Sequence, residues 1–276
     1  MTKETNSKIK KKKKKLKWYI KLLIIILIII IYSFYIGTKG IFIKDYNIKS
    51  KKITDKMHGI KILQFSDLHF KSSVNKNDVK KIIKKINSAN PDIVIFTGDL
   101  FDKNKNITEE DKIFLTKQLS NINADYGKYY VTGECDNDNS NNVLNNSEFT
   151  NIEENAQVID ISNDSSILLI DNKKSKDYFN ENTDNNLKIL VIHNPNNFDK
   201  VKEYKFDMVI SGHTHNGQIN IPKIKETFIN GKYTKNYQKI ENTKLFVNPG
   251  IGTKGLKVRL FNHPTMFLYR LNKTSK

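Results

Sequence analysis

Five short apolar runs each empty into an acidic or imidazole side chain, and this repeat constrains the fold more than any other feature. Gln64-Phe65-Ser66 leads into Asp67-Leu68-His69, and Phe96-Thr97-Gly98 leads into Asp99. Val131-Thr132-Gly133 leads into Glu134 and Cys135, Val191-Ile192 into His193-Asn194-Pro195, and Ile210-Ser211-Gly212 into His213-Thr214-His215. Strand ends hold such side chains rigidly and bring them together in space. Four of the six histidines belong to this set; His58 and His263 do not, and read as surface or structural residues.

Periodic segments lie between the runs. Val79, Ile82, Ile83 and Ile86 recur at three- and four-residue spacing, which predicts a helix capped by Asn77 or Asp78. Thr108 and Asp111 have capping-box spacing ahead of Ile113, Phe114 and Leu119. Strands are expected over 60–66, 92–97, 128–132, 165–171, 187–193 and 206–211. The runs 244–248, 256–261 and 265–271 are expected to complete a second sheet, and 137–151 reads as a loop with at most a short helix around Val143 and Leu144. Alternating strands and helices of these lengths predict an α/β sandwich.

The amino terminus obeys different physics. Residues 1–21 hold ten lysines against one glutamate, half of the formal net charge of +18. An uncharged run from Leu22 to Thr38 follows, long enough as a helix to span about 25 Å. Lys21 can snorkel, and Trp18 and Tyr19 stand where an interfacial aromatic belt lies. No small-residue cleavage site follows, so residues 22–38 read as an uncleaved transmembrane signal anchor. Lysine asymmetry keeps 1–21 in the cytoplasm and puts a domain of residues 40–276 outside the cell membrane, as a single-pass protein.

The remaining charge is also basic, which suits anionic partners without choosing among them. No stripe of interleaved aromatic and basic residues is present, which disfavours nucleic acid. The single cysteine, Cys135, excludes an intramolecular disulfide and a thiolate cluster. Asp-x-His and His-x-His spacing puts two side chains of an extended segment within reach of one or two metals. Mixed carboxylate and imidazole donors favour Mn²⁺, Fe or Zn²⁺.

"SDLH" at 66–69, "TGDL" at 97–100 and "SGHTHNGQ" at 211–218 resemble the ordered motifs of the calcineurin-like metallophosphoesterases. The tail from Asn248 to Leu271 is similar to that of membrane-associated or exported bacterial members allied to UDP-diacylglucosamine hydrolases. The resemblance runs from about Ile41 to Leu271. It implies a four-layer αββα sandwich of two mixed sheets behind one transmembrane helix. It also implies two divalent ions, with Asp67, His69 and His215 on one, His193 and His213 on the other, and Asp99 bridging. A phosphodiester or pyrophosphate, such as a lipid- or envelope-linked one, would be the substrate. Lys254 and Arg259 are candidate substrate contacts.

The third motif departs from the family. Gly133-Glu134-Cys135-Asp136 stands where Gly-Asn-His-Asp or Gly-Asn-His-Glu is expected. Glu134 can replace the asparagine as a ligand to the second metal. Cys135 occupies the place of the histidine that assists the leaving group, and a thiol is a weak donor without imidazolium's charge. Three readings follow. The enzyme acts on leaving groups that need little protonation; or Cys135 is a metal ligand or redox-sensitive brake; or the site is a catalytically impaired binder of metal and phosphorylated envelope ligands.

Overall fold

The computed structural model describes residues 3–103, 105–178, 187–221 and 231–274. Helix α1 (Lys3–Ile31) runs straight from the lysine block into the apolar segment and continues as a π-helical turn, Tyr32–Ile36. Its apolar side chains from Leu16 to Ile31 are exposed to the surroundings, and the helix is long and apolar enough to cross a membrane.

Beyond it, two six-stranded mixed sheets face each other. The first contains β1 (Phe42–Ser50), β2 (Lys61–Phe65), β3 (Ile93–Phe96), β4 (Lys128–Tyr130), β5 (Phe149–Asn151) and β12 (Thr265–Lys273), in the order β1-β12-β2-β3-β4-β5. The second contains β6 (Gln157–Ser162), β7 (Ser165–Ile170), β8 (Leu187–Val191), β9 (Met208–Ser211), β10 (Tyr237–Ile240) and β11 (Thr243–Val247), in the order β10-β11-β9-β8-β7-β6. The parallel pairs β2–β3, β3–β4 and β4–β5 are joined by α2 (Lys76–Ser88), α3 (Glu109–Ser120) and α4 (Asp138–Asn146).

The central strands are buried on both faces, which explains their continuous apolar runs. One core lies between the sheets, where Ile62, Ile95 and Phe267 meet Ile189, Ile210 and Phe246. A second lies beneath α2, α3 and α4, and each of Val79, Ile82, Ile83 and Ile86 contributes roughly 1.5–3 kcal/mol there by leaving water. The outer face of the second sheet is covered, among the described residues, by Phe198 of the 3₁₀ turn Pro195–Lys200 and by Phe206 in the loop before β9. The architecture is therefore the expected two-sheet α/β sandwich behind an apolar helix.

A buried polar tie joins the sheets just under their carboxyl ends. Gln64 Nε2 on β2 donates to Thr97 Oγ1 and to the Ser211 carbonyl at the end of β9, both at 2.9 Å. The Tyr269 hydroxyl donates to Gln64 Oε1 at 2.6 Å, so the amide is saturated from three directions. An unpaired amide here would cost a few kcal/mol, so this tie fixes how the two strand ends meet.

Several details differ from expectation. Helix α2 is capped by Asn75, whose side chain accepts from Asn77 N and Asp78 N, while Asp78 supplies the reciprocal bond of the box. Residues 138–146 form a full helix because Asn137 caps it and Ser140, Val143 and Leu144 bury one face. The 256–261 run is not a strand; apart from an isolated bridge between Leu260 and Ile219, it is a loop organised around Arg259. Residues 265–271 are a strand of the first sheet rather than the second, inserted between β1 and β2.

Candidate metal centre

The five polar strand ends converge at the carboxyl edge of both sheets. Asp67 and His69 follow β2, Asp99 follows β3, Glu134 and Cys135 follow β4, His193 follows β8, and His213 and His215 follow β9. Backbone bonds lace these loops together. Asp67 N donates to the Gly98 carbonyl at 2.8 Å, His69 N to the Asp99 carbonyl at 3.1 Å, and Gly212 N to the His193 carbonyl at 2.9 Å.

Asp67, His69, Asp99, His213 and His215 all have left-handed backbone, with φ from 44° to 71°. Non-glycine residues adopt this region at a cost of order 1–3 kcal/mol each, and such strain gathers at functional sites. Gly133 must be a glycine for another reason: a Cβ there would run into the Asp99 carboxylate.

Donor atoms point at one another. His69 Nε2 is 3.2 Å from His215 Nε2 and 3.6 Å from Asp99 Oδ2. His193 Nε2 is 3.2 Å from His213 Nδ1 and 3.5 Å from the same Asp99 Oδ2. Asp99 Oδ2 thus stands between two histidine pairs, while its Oδ1 accepts from Cys135 N at 2.8 Å. Asp67 Oδ1 lies 3.5 Å from His215 Nε2, buried and without a hydrogen-bond partner, although Oδ2 accepts from Ser66 Oγ and His213 N.

These residues fit a metal ion by the chemistry and convergence of their donor atoms. Among the described residues, three sets have donor atoms within 4.8 Å of one another: Asp67, His69 and His215; Asp67, Asp99 and His193; and His69, Asp99 and Cys135. The orphaned Asp67 oxygen has the chemistry a metal ligand needs, since a buried carboxylate oxygen otherwise finds a partner. Burial drives the His215 imidazole down to about 3, keeping it a neutral donor. Burial also opposes charge on His193, yet the hydrogen-bonded Asp99 and the nearby Asp67 carry it up to about 9. The carboxylates therefore favour positive charge at this position, which a bound metal ion would supply.

His213 reaches the cluster through His193. Glu134 stands at the rim, its side chain half exposed, 3.7 Å from His213 Nδ1, with Asn194 Nδ2 donating to it at 3.3 Å. Cys135 is buried at 5% exposure. Burial, reinforced by the Asp99 charge, pushes its thiol up to about 12.

Supporting residues were not singled out by the sequence pattern. Asp136 accepts from the backbone N–H groups of Asp99 (2.7 Å), Leu100 (2.8 Å) and Gly133 (2.8 Å), clamping two loops together. Its acidic fourth place in the third motif is the signal that could have marked it. The Thr97 carbonyl accepts from His193 Nδ1 at 2.7 Å and aims Nε2 at Asp99. Lys254 remains exposed beside the site, its N–H donating to Gln218 Oε1. Arg259, expected as a substrate contact, turns inward. It is fully buried, donating to the carbonyls of Pro249 (2.9 Å), Gly250 (3.0 Å), Gly252 (2.6 Å) and Asn262 (3.3 Å).

The family model for calcineurin-like phosphoesterases matches residues 60–217, the stretch that carries every one of these strand ends. The chain belongs to that family. A metallophosphoesterase of Bacillus subtilis, YkuE, is 28% identical over 259 residues, covering 88% of this chain and 90% of the relative. LpxG of Chlamydia muridarum, a UDP-2,3-diacylglucosamine pyrophosphatase, is 26% identical over 284 residues, covering 78% of this chain and 84% of its own length. A zebrafish transmembrane protein with a metallophosphoesterase domain is 24% identical over 244 residues, covering 79% of this chain and 54% of that longer relative. This phosphoesterase domain thus recurs in proteins of differing length.

Proposed function

We propose that the chain is a membrane-anchored hydrolase of a phosphodiester or pyrophosphate, working with two divalent ions drawn from Mn²⁺, Fe or Zn²⁺. The observation that carries this is the convergence of Asp67, His69, Asp99, His193, His213 and His215, with Asp99 Oδ2 between the two histidine pairs. Asp67, His69 and His215 would hold one ion, and His193, His213 and Glu134 the other, with Asp99 shared. When bound, the ions lower the pKa of water and neutralise charge on phosphoryl oxygens.

The chain's own residues position that chemistry. Asp99 is held through Oδ1 by the Cys135 N–H, leaving Oδ2 directed at the histidines. Asp136 fixes the Asp99 and Gly133 backbone. Cys135 offers the leaving group only a buried thiol, a weak donor without positive charge. Good leaving groups, such as aryl oxides or phosphates, are therefore favoured over alkoxides.

The anchor supports a substrate at the membrane or in the envelope, and the pyrophosphate-cleaving relative LpxG supports a lipid-linked one. By the lysine asymmetry, 1–21 is cytoplasmic, 22–38 spans the membrane and the domain of 40–276 is extracytoplasmic.

The test uses the full chain in detergent with bis-p-nitrophenyl phosphate and a phosphomonoester, titrated with Mn²⁺ while bound metal is counted. Turnover of the diester is expected. Bound metal without turnover under any divalent ion would support the second reading, a metal- and phosphate-binding envelope protein, which the Glu134-Cys135 departure favours. The Glu134→Asn/Cys135→His double variant should raise activity on poorly activated esters. An unchanged rate removes the leaving-group argument.

A further inference from the structure

The membrane-spanning helix does not end in a free linker. Arg259 N donates to the Ser33 carbonyl at 3.0 Å, the Tyr32 hydroxyl pairs with His263 Nε2 at 3.3 Å, and the Tyr32 ring packs on Phe261 at 6.5 Å between centroids. Gly37 allows the closest approach, since a Cβ there would strike the Arg259 carbonyl oxygen. The helix end is therefore seated on the loop that runs from Pro249 to Pro264.

This seating leaves a cleft of about 710 Å³ between the helix end, the start of β1 and α2. Phe34, Tyr35, Ile41 and Ile82 give it an apolar wall that continues the exposed apolar surface of α1. Lys39, Lys81, Lys85 and Lys257 also line it, against the single carboxylate of Asp78, which is engaged in the α2 cap. Lys39, Lys81 and Lys85 are exposed, and no carboxylate of the described residues pairs with them. Phe42 (51%) and Phe261 (62%) are exposed on the same collar around the helix exit. Exposed aromatic rings mixed with lysines characterise surfaces that sit in a membrane interface.

We propose that this cleft binds one anionic phospholipid, its phosphate on Lys39, Lys81 and Lys85 and the upper part of its chains along Phe34, Tyr35 and Ile41. Charge complementarity and continuity with the spanning helix select this occupant: a soluble anion would leave the apolar wall wet, and a zwitterionic lipid would add a cation to four lysines. The site is separate from the metal centre and rests only on the anchor reading.

The full chain in detergent, mixed with phosphatidylglycerol or phosphatidylcholine, is examined by native mass spectrometry. One phosphatidylglycerol is expected to be retained in preference to phosphatidylcholine. Lys39→Gln/Lys81→Gln/Lys85→Gln should lower that retention by roughly tenfold or more, with unchanged far-UV circular dichroism, whereas the three Lys→Arg changes should keep it. Equal retention of both lipids, indifference to the Gln triple, or binding of inorganic phosphate that competes fully with the lipid would each overturn the inference. Flotation with phosphatidylcholine vesicles separates the two readings. A chain that does not float overturns the anchor and the cleft together; one that floats without lipid preference overturns the cleft alone.

Discussion

Asp136 and Arg259 spend their side chains on backbone groups, and so brace the loops that carry the candidate ligands. Asp136→Ala removes the acceptor of three backbone N–H groups and is expected to lower Mn²⁺ affinity or diester turnover by about 10–100-fold, as loss of an outer partner does. Metal titration with turnover as readout checks it, and wild-type affinity and rate would show the clamp to be dispensable. Arg259→Met leaves four buried carbonyls short of donors and should cost about 3 kcal/mol or more, seen as a lower Tm. Because Gly252 N donates to the Asp67 carbonyl at 2.7 Å, the same variant should also hold metal less well. At this scale the convergence of the candidate ligands was legible, since side chains at strand ends leave a mark in the order of residues. Arg259 was not: a basic residue in a loop reads as a surface contact until the carbonyls around it are seen. Nor does any residue type announce left-handed backbone at Asp67 or His213.

Helix α3 carries its own charge-dependent lock. Asp111 caps it by accepting from Thr108 N and the Thr108 hydroxyl, and pairs with Lys71 at 2.6 Å. Burial would raise its carboxyl, but Lys71 and Thr108 outweigh that and hold it well below the usual carboxylate range. A lowered folded pKa stabilises the protein fully above the unfolded value of about 3.9, and that stability fades as pH falls beneath it. Asp111→Ala should therefore cost about 1–3 kcal/mol at pH 6 and distinctly less at pH 3. Thermal melts of both proteins at the two pH values decide it; an equal gap would remove Asp111 as the titrating group. Helices α2 and α3 were readable from periodicity and caps. Strand β1 was not, because its burial alternates at a sheet edge instead of forming an apolar run. The assignment of β12 to the wrong sheet has a related cause. Strands buried on both faces look alike in sequence, and only long-range pairing, here with β1 and β2, tells them apart.

Across the whole molecule, the proposed topology makes one direct demand. Protease added to intact spheroplasts should digest the domain while the lysine-rich segment survives, and protection of the domain would reverse the orientation. The apolar run behind the lysine block made the helix visible in sequence, but its junction with the domain was hidden, because Ser33 and Arg259 lie 226 positions apart. That junction changes how the protein can work. A tether of loose chain lets a domain roam a hemisphere and meet substrates at any distance up to its length. If the helix spans a membrane as proposed, its attachment to the loop beneath Asp67 makes it a stalk: it would hold the centre at one working height and tilt, and confine its search to a thin sheet parallel to the bilayer. In that arrangement molecules diffusing in the sheet would meet it constantly, while those in the bulk beyond would gain nothing from the proposed anchoring.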